Sequence, residues 1–231
     1  MIPDPPPAAR DLFGSLLPQV QAYAELLAGA GVERGLIGPA ETQRLWDRHL
    51  INSGVVAELI PAATDGEAIQ LADLGSGAGL PGIVLAIMLP QVSVTLVEPM
   101  ARRTQFLQEC IAELGLSNAQ VRRGRAEELD GEIGADVVTA RAVASLDRLS
   151  GLAAGLARPG GLVLAIKGAA AGQELDRARP VLRQLGATGI EIVTAGAGLI
   201  DQPATVVRFR TRQNASLVRK RPRGGRPKRR T

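Results

Sequence analysis

The 231-residue sequence contains one cysteine (Cys110), one histidine (His49), one tryptophan, one tyrosine and three phenylalanines. A single cysteine excludes an internal disulfide and any cysteine-based metal cluster. So few aromatic rings exclude base stacking as the main grip on a nucleic acid, leaving shape, phosphate contacts and guanidinium groups. No apolar run approaches the roughly 18–20 residues of a membrane span, and Met1 to Arg10 is proline-rich rather than signal-like. These absences predict a cytoplasmic protein with no membrane partner. Lysine is scarce too: before residue 208 every basic residue is arginine except Lys167.

Charge is distributed unevenly. From Arg208 onward there are eleven arginines and lysines and no acid, so the remaining sixteen basic residues share the rest of the chain with all twenty-three acids. A mildly acidic body carries a strongly basic tail. The stretch "RKRPRGGRPKRR" combines proline, glycine and repelling charge, which cannot build a core, and it is expected to be disordered when free.

The length suits one domain with appendages. Residues 1–62 form an expected helical extension. "LPQVQAYAELLAGAG" spaces Val20, Tyr23, Ala24 and Leu27 as one helical face, and "PAETQRLWDRHLINSGVVAELI" does the same with Leu45, His49, Val56 and Leu59. Trp46 and Leu50 fit core packing, and His49 fits a packed or hydrogen-bonding histidine better than a ligand. After a linker at Pro61–Gly66, strands and helices alternate, ending in two strands, "IEIVTA" and "ATVVRFRTR". That alternation predicts an α/β domain over 63–212, a doubly wound and mostly parallel Rossmann-like sheet, followed by the disordered tail over 213–231.

Between the first strand and its helix stands "LADLGSGAGLPG". Gly77, Gly79 and Gly82 satisfy the dinucleotide pattern G-x-G-x-x-G, whereas Asp73, Gly75, Gly77 and Gly79 satisfy D-x-G-x-G-x-G, a methyltransferase pattern. Glu98 ends the second strand, where a carboxylate accepts hydrogen bonds from both hydroxyls of a ribose. Either ligand would suit it. Asp73 favours a ligand with an ammonium group and would repel a pyrophosphate. Pro81 removes an amide that a phosphate could use. The loop therefore fits S-adenosylmethionine better than NAD.

Taken together, "LWDRHLINS", "DLGSGAGLPGIVLAI", "VEPMARRTQFL", "RGRAEEL", "TARAVASLDRL" and "LAIKG" resemble the bacterial small-subunit ribosomal RNA guanine-N7 methyltransferases, the glucose-inhibited division protein B family. The resemblance runs from about Arg44 to Arg208 and leaves the tail out. It implies a class I methyltransferase fold, S-adenosylmethionine as cofactor and a guanine in the decoding-region loop of 16S rRNA as target. It also implies cofactor contacts from Gly75, Leu80, Ala126, Glu127 and Arg141, beside Asp73 and Gly77 from the loop itself and Glu98 from the end of the second strand. The implied partner is 16S rRNA or the assembling small ribosomal subunit, and the enzyme is expected to act as a monomer.

Guanine N7 carries a lone pair and no proton, so the enzyme must align rather than deprotonate it. Arg141 and Lys167, ending the fourth and fifth strands, are the candidate catalytic pair, as cations for phosphate, base edge or cofactor carboxylate. Arg122, Arg123 and Arg125 form a basic cluster near the same edge, and Asp47 and Arg48 could face substrate. Two other readings stay open: an NAD-dependent oxidoreductase, which would lack an obvious proton donor because Tyr23 lies outside the sheet, and a nucleic-acid-binding protein working through its tail.

Overall fold

A computed structural model describes residues 2–62 and 68–212. The tail expected to be disordered, 213–231, and most of the Pro61–Gly66 linker lie outside the described residues. The body is built on seven strands: β1 (Gln70–Leu74), β2 (Ser93–Glu98), β3 (Ala119–Arg123), β4 (Ala135–Arg141), β5 (Ala157–Lys167), β6 (Thr188–Ala195) and β7 (Ala204–Arg210). Their order is β3-β2-β1-β4-β5-β7-β6. All neighbours are parallel except β7, which runs antiparallel to both β5 and β6. Strand order reverses between β1 and β4, and a crevice opens outside the carboxyl ends of strands at such a switch point.

The helices are α1 (Pro7–Phe13), α2 (Leu17–Leu26), the short α3 (Asn52–Gly54), α4 (Gly82–Met88), α5 (Ala101–Glu113), α6 (Leu146–Leu156) and α7 (Ala171–Gln184). Helical periodicity accounts for what they bury. In α7, Ala171, Leu175, Ala178 and Leu182 make one stripe, and in α6 Leu146, Leu149, Ala153 and Leu156 make another. The region before β1 is helical as expected, but mixed: 3-10 turns at Pro39–Arg44 and Val55–Leu59 flank a π-type turn at Leu45–Ile51 and α3.

Side chains alternate across each strand, so the sheet has two distinct faces. On one, Leu71, Leu96, Val137, Leu164 and Ile166 join Val20, Tyr23, Leu27, Leu45 and Leu50 of the N-terminal helices in a single core with α4 and α5 residues. On the other, Ala72, Leu74, Val138, Ala140, Val163 and Ala165 pack against α6 and α7. The N-terminal helices therefore belong to the same packed body as the sheet, as one of its layers.

Candidate active site

The turn after β1 needs glycine for conformation and for space. Gly75, Gly77 and Gly79 have φ of +66°, +58° and +101°, a region L side chains rarely adopt. A Cβ on Gly79 would stand 2.6 Å from the Tyr23 hydroxyl, and one on Gly75 would stand 2.8 Å from Val143. Tyr23 donates from its Oη to the Ala78 carbonyl at 2.6 Å, so α2 holds the turn from above. Burial raises the Tyr23 phenol well above its ordinary value, which keeps it a donor.

Asp73 is turned inward and is wholly buried. Its Oδ2 accepts from the Gly82 amide at 3.2 Å and its Oδ1 accepts from Thr139 Oγ1 at 2.9 Å, so the carboxyl group ties the start of α4 to β4. A side chain on Gly82 would collide with this carboxyl and with Leu96. Burial outweighs these hydrogen bonds and pushes the Asp73 carboxyl up to about 6. Glu98, only 2% exposed in its side chain, lies beside the same turn. Its Oε2 accepts from the Gly77 amide and its Oε1 from the Met100 amide, both at 3.0 Å, with Arg103 at 3.6 Å.

Arg141 ends β4 on the face that meets the N-terminal helices. Its Nη2 lies 2.7 Å from His49 Nδ1, and its Nη1 donates to the Arg48 carbonyl at 3.2 Å. The other ring nitrogen of His49, Nε2, lies 2.7 Å from Glu41 Oε2. Burial lowers the pKa of both Arg141 and His49 from their ordinary values.

Lys167 is one residue past Ile166, the β5 partner of Arg141, and so leaves the sheet on the opposite face. Its ammonium is 2.8 Å from Glu174 Oε2 and donates to the Ala144 carbonyl at 2.9 Å, with 7% of the side chain exposed. Glu174 also accepts from the Leu146 amide at 3.1 Å. Together these groups fasten the turn between β4 and α6, where Ala142 has a φ of +55° and Val143 stands over Gly75.

Two cavities meet at this edge. The smaller, about 320 Å³, is lined by Gly75, Gly77, Leu80, Arg103 and residues around Ile37. The larger, about 1220 Å³, is lined by Arg44, Asp47, Asn52, Lys167 and Asp201 among others. Arg48, His49, Arg141 and Ala142 line both. Among the residues expected at the cofactor, Gly75, Gly77, Leu80 and Arg141 thus share one cavity, while Asp73 and Glu98 brace its glycine turn. Ala126 and Glu127 are not in that lining; Ala126 is buried and Glu127 pairs with Arg148 at 3.7 Å. In the basic cluster, Arg122 is paired with Glu132 at 2.8 Å, and Arg123 and Arg125 are exposed. Glu41 and Tyr23 are site residues that no motif announces.

The family model described as rRNA small subunit methyltransferase G matches residues 16–200. A protein named ribosomal RNA small subunit methyltransferase G from Thermobifida fusca is 54% identical over 88% of this chain and 84% of its own length. One of the same name from Mycolicibacterium gilvum is 49% identical over 99% and 98%. Among solved structures, a SAM-dependent O-methyltransferase from Thermotoga maritima superposes with a TM-score of 0.52 at 15% identity, covering 69% of this chain and 64% of that one, a likeness of fold alone. With the sheet order, the glycine turn and these matches agreeing, the chain belongs to the small-subunit rRNA methyltransferase G family.

Proposed function

We propose that this rRNA methyltransferase transfers a methyl group from S-adenosylmethionine to N7 of a guanine in the decoding-region loop of 16S rRNA. The observation that carries the reading is the wall of Arg48, His49, Arg141 and Ala142 shared by two cavities at the β1/β4 switch point. The smaller cavity has the size of a small-molecule site and a floor of backbone made accessible by glycine, which fits the cofactor. The larger is open to a nucleotide. Family membership leaves no role for the dinucleotide oxidoreductase reading of the glycine turn.

S-adenosylmethionine supplies an electrophilic methyl on a sulfonium, and the chain's own residues bind, orient and exclude water around it. Glu98 is assigned to the ribose hydroxyls: each carboxylate oxygen uses one acceptor site on a backbone amide and keeps another. Asp73 acts one step back, since both its oxygens already hold the turn. Arg141 is, with Arg48, one of two cations of the shared wall, within reach of cofactor or RNA. Lys167 acts through the turn it fastens, because its charge is already committed to Glu174. The substrate is 16S rRNA, alone or in the assembling subunit, met in the cytoplasm by a monomer.

Guanine N7 needs no general base, so catalysis rests on alignment. Turnover on saturating substrate should be nearly flat from about pH 7 to about pH 9, and a steep rise there would reveal a proton removed in the reaction. Mass-spectrometric mapping of 16S rRNA from cells with and without the gene should show one 7-methylguanosine lost. Its persistence in the deleted strain would overturn the reading.

A further inference from the structure

We propose that Glu41, His49 and Arg141 form a hydrogen-bonded relay in which neutral His49 is a positioning residue, aiming the Arg141 guanidinium along the wall between the two cavities. The inference rests on the methyl-transfer reading above and assigns a part in it to a segment outside the sheet. No motif on β1 to β5 contains it.

Proton arithmetic carries the argument. A guanidinium has only donors, so at 2.7 Å from Arg141 Nη2 the His49 Nδ1 must offer its lone pair. The single ring proton then sits on Nε2, where Glu41 Oε2 accepts it at 2.7 Å. A second proton on Nδ1 would set N–H against N–H and cation against cation. The ring can therefore bridge the two only while neutral. Burial, which lowers the histidine's pKa, acts in the same direction, against the opposing pull of the Glu41 hydrogen bond.

The relay also has a second anchor. Arg141 Nη1 donates to the Arg48 carbonyl, so two terminal nitrogens of one rigid fork are held by consecutive residues of the turn Leu45–Ile51. Glu41 in turn receives both His49 and Arg48, the latter at 3.3 Å. The plane of the guanidinium is set by helices before the sheet begins, and its remaining N–H groups are left for the cavities it lines. The charged and titratable groups around the imidazole are Glu41 on the 3-10 turn, Arg48 on its own turn and Arg141 on β4, with Arg44 acting on Glu41. Behind Arg141 lie Asp73 and Tyr23, and Arg103 faces the smaller cavity.

The chain has a single histidine, so its imidazole nitrogens can be observed without assignment in the full-length protein labelled with 15N-histidine. At about pH 7.5 the ring should be wholly the Nε2–H tautomer, with protonation below the ordinary 6.5. An Nδ1–H tautomer, or titration at the ordinary value, overturns the relay. In parallel, His49→Ala should lower kcat on unmodified small ribosomal subunits about ten-fold or more, the worth of one hydrogen bond to a charged group, with less change in the KM for S-adenosylmethionine. His49→Asn supplies an acceptor near Nδ1 that does not titrate. It should recover most of that loss and make turnover less sensitive to acid than in the wild type, where a proton on Nδ1 breaks the bridge to Arg141. Wild-type turnover in His49→Ala, or an Asn variant no better than Ala with an equal melting temperature, sinks the proposal. Absence of methyl transfer by the wild-type protein would instead sink the underlying reading, whatever the imidazole shows.

Discussion

The two faces of the sheet solve different problems with the same strands. The face toward α6 and α7 buries an almost wholly apolar cluster, and Lys167 emerges only at the strand end, against Glu174. The face toward the N-terminal helices carries Asp73, Glu98, Thr139 and Arg141 inside or at the edge of an otherwise apolar core, each with partners. Parity along β4 shows how: Val138 and Ala140 point one way, while Val137, Thr139 and Arg141 point the other. One face is built by apolar packing alone. The other combines an apolar core with charge placed at the switch point.

The comparison can be broken most directly on the apolar face. Leu149→Ala in α6 removes a fully buried side chain and should cost about 2–5 kcal/mol by chemical denaturation. That loss should be the same at every pH, with methyl transfer at a permissive temperature intact. A large change in turnover would mean the faces are not separable.

Asp73 sharpens the contrast, because its contribution depends on pH. Its folded value of about 6 stands above the ordinary 3.8, so the folded state binds the proton more tightly than the unfolded one. The stability this group contributes is complete below about pH 4 and is lost as pH rises through about 6, by roughly 3 kcal/mol at about 1.36 kcal/mol per unit. Asp73→Asn cannot ionise. Its stability relative to wild type should therefore climb by up to that amount between pH 4 and pH 7, and a difference that stays constant would show that Asp73 titrates normally.

The smallest effect is expected at Glu98. Glu98→Ala loses acceptors for the Gly77 amide and, in the proposed complex, for ribose, so affinity for S-adenosylmethionine should fall about ten-fold or more. Calorimetry measures this, and unchanged affinity would remove Glu98 from the cofactor site while leaving the apolar face unaffected.

Much of this was legible in the residues. Alternating strand and helix patterns predict the sheet, the terminal strand pair predicts its mixed edge, and the glycine spacing predicts the turn. Arg141 was legible as a strand end near the cofactor. Its partners were not, because His49 stands ninety-two positions away and the pairing depends on how a helical layer docks. Tyr23 shows the same limit: lying outside the sheet, it offers no proton donor to the motif, yet its hydroxyl holds Ala78. Arg141 and Lys167 look like a pair in sequence because both end strands. Their register, Arg141 beside Ile166, puts them on opposite faces, and register is a property of pairing that neither strand encodes alone.

The place of β7 has a consequence for synthesis. It lies between β5 and β6, so the ribosome completes β5 at Lys167 well before the strand that pairs with it, Ala204–Arg210. At about 5–20 residues per second, the nascent chain carries an open, apolar β5 edge for a few seconds. A message ending early, after α7 but before Ala204, would leave that edge without its partner permanently. The product would retain every residue assigned here to the chemistry and still be a template for aggregation.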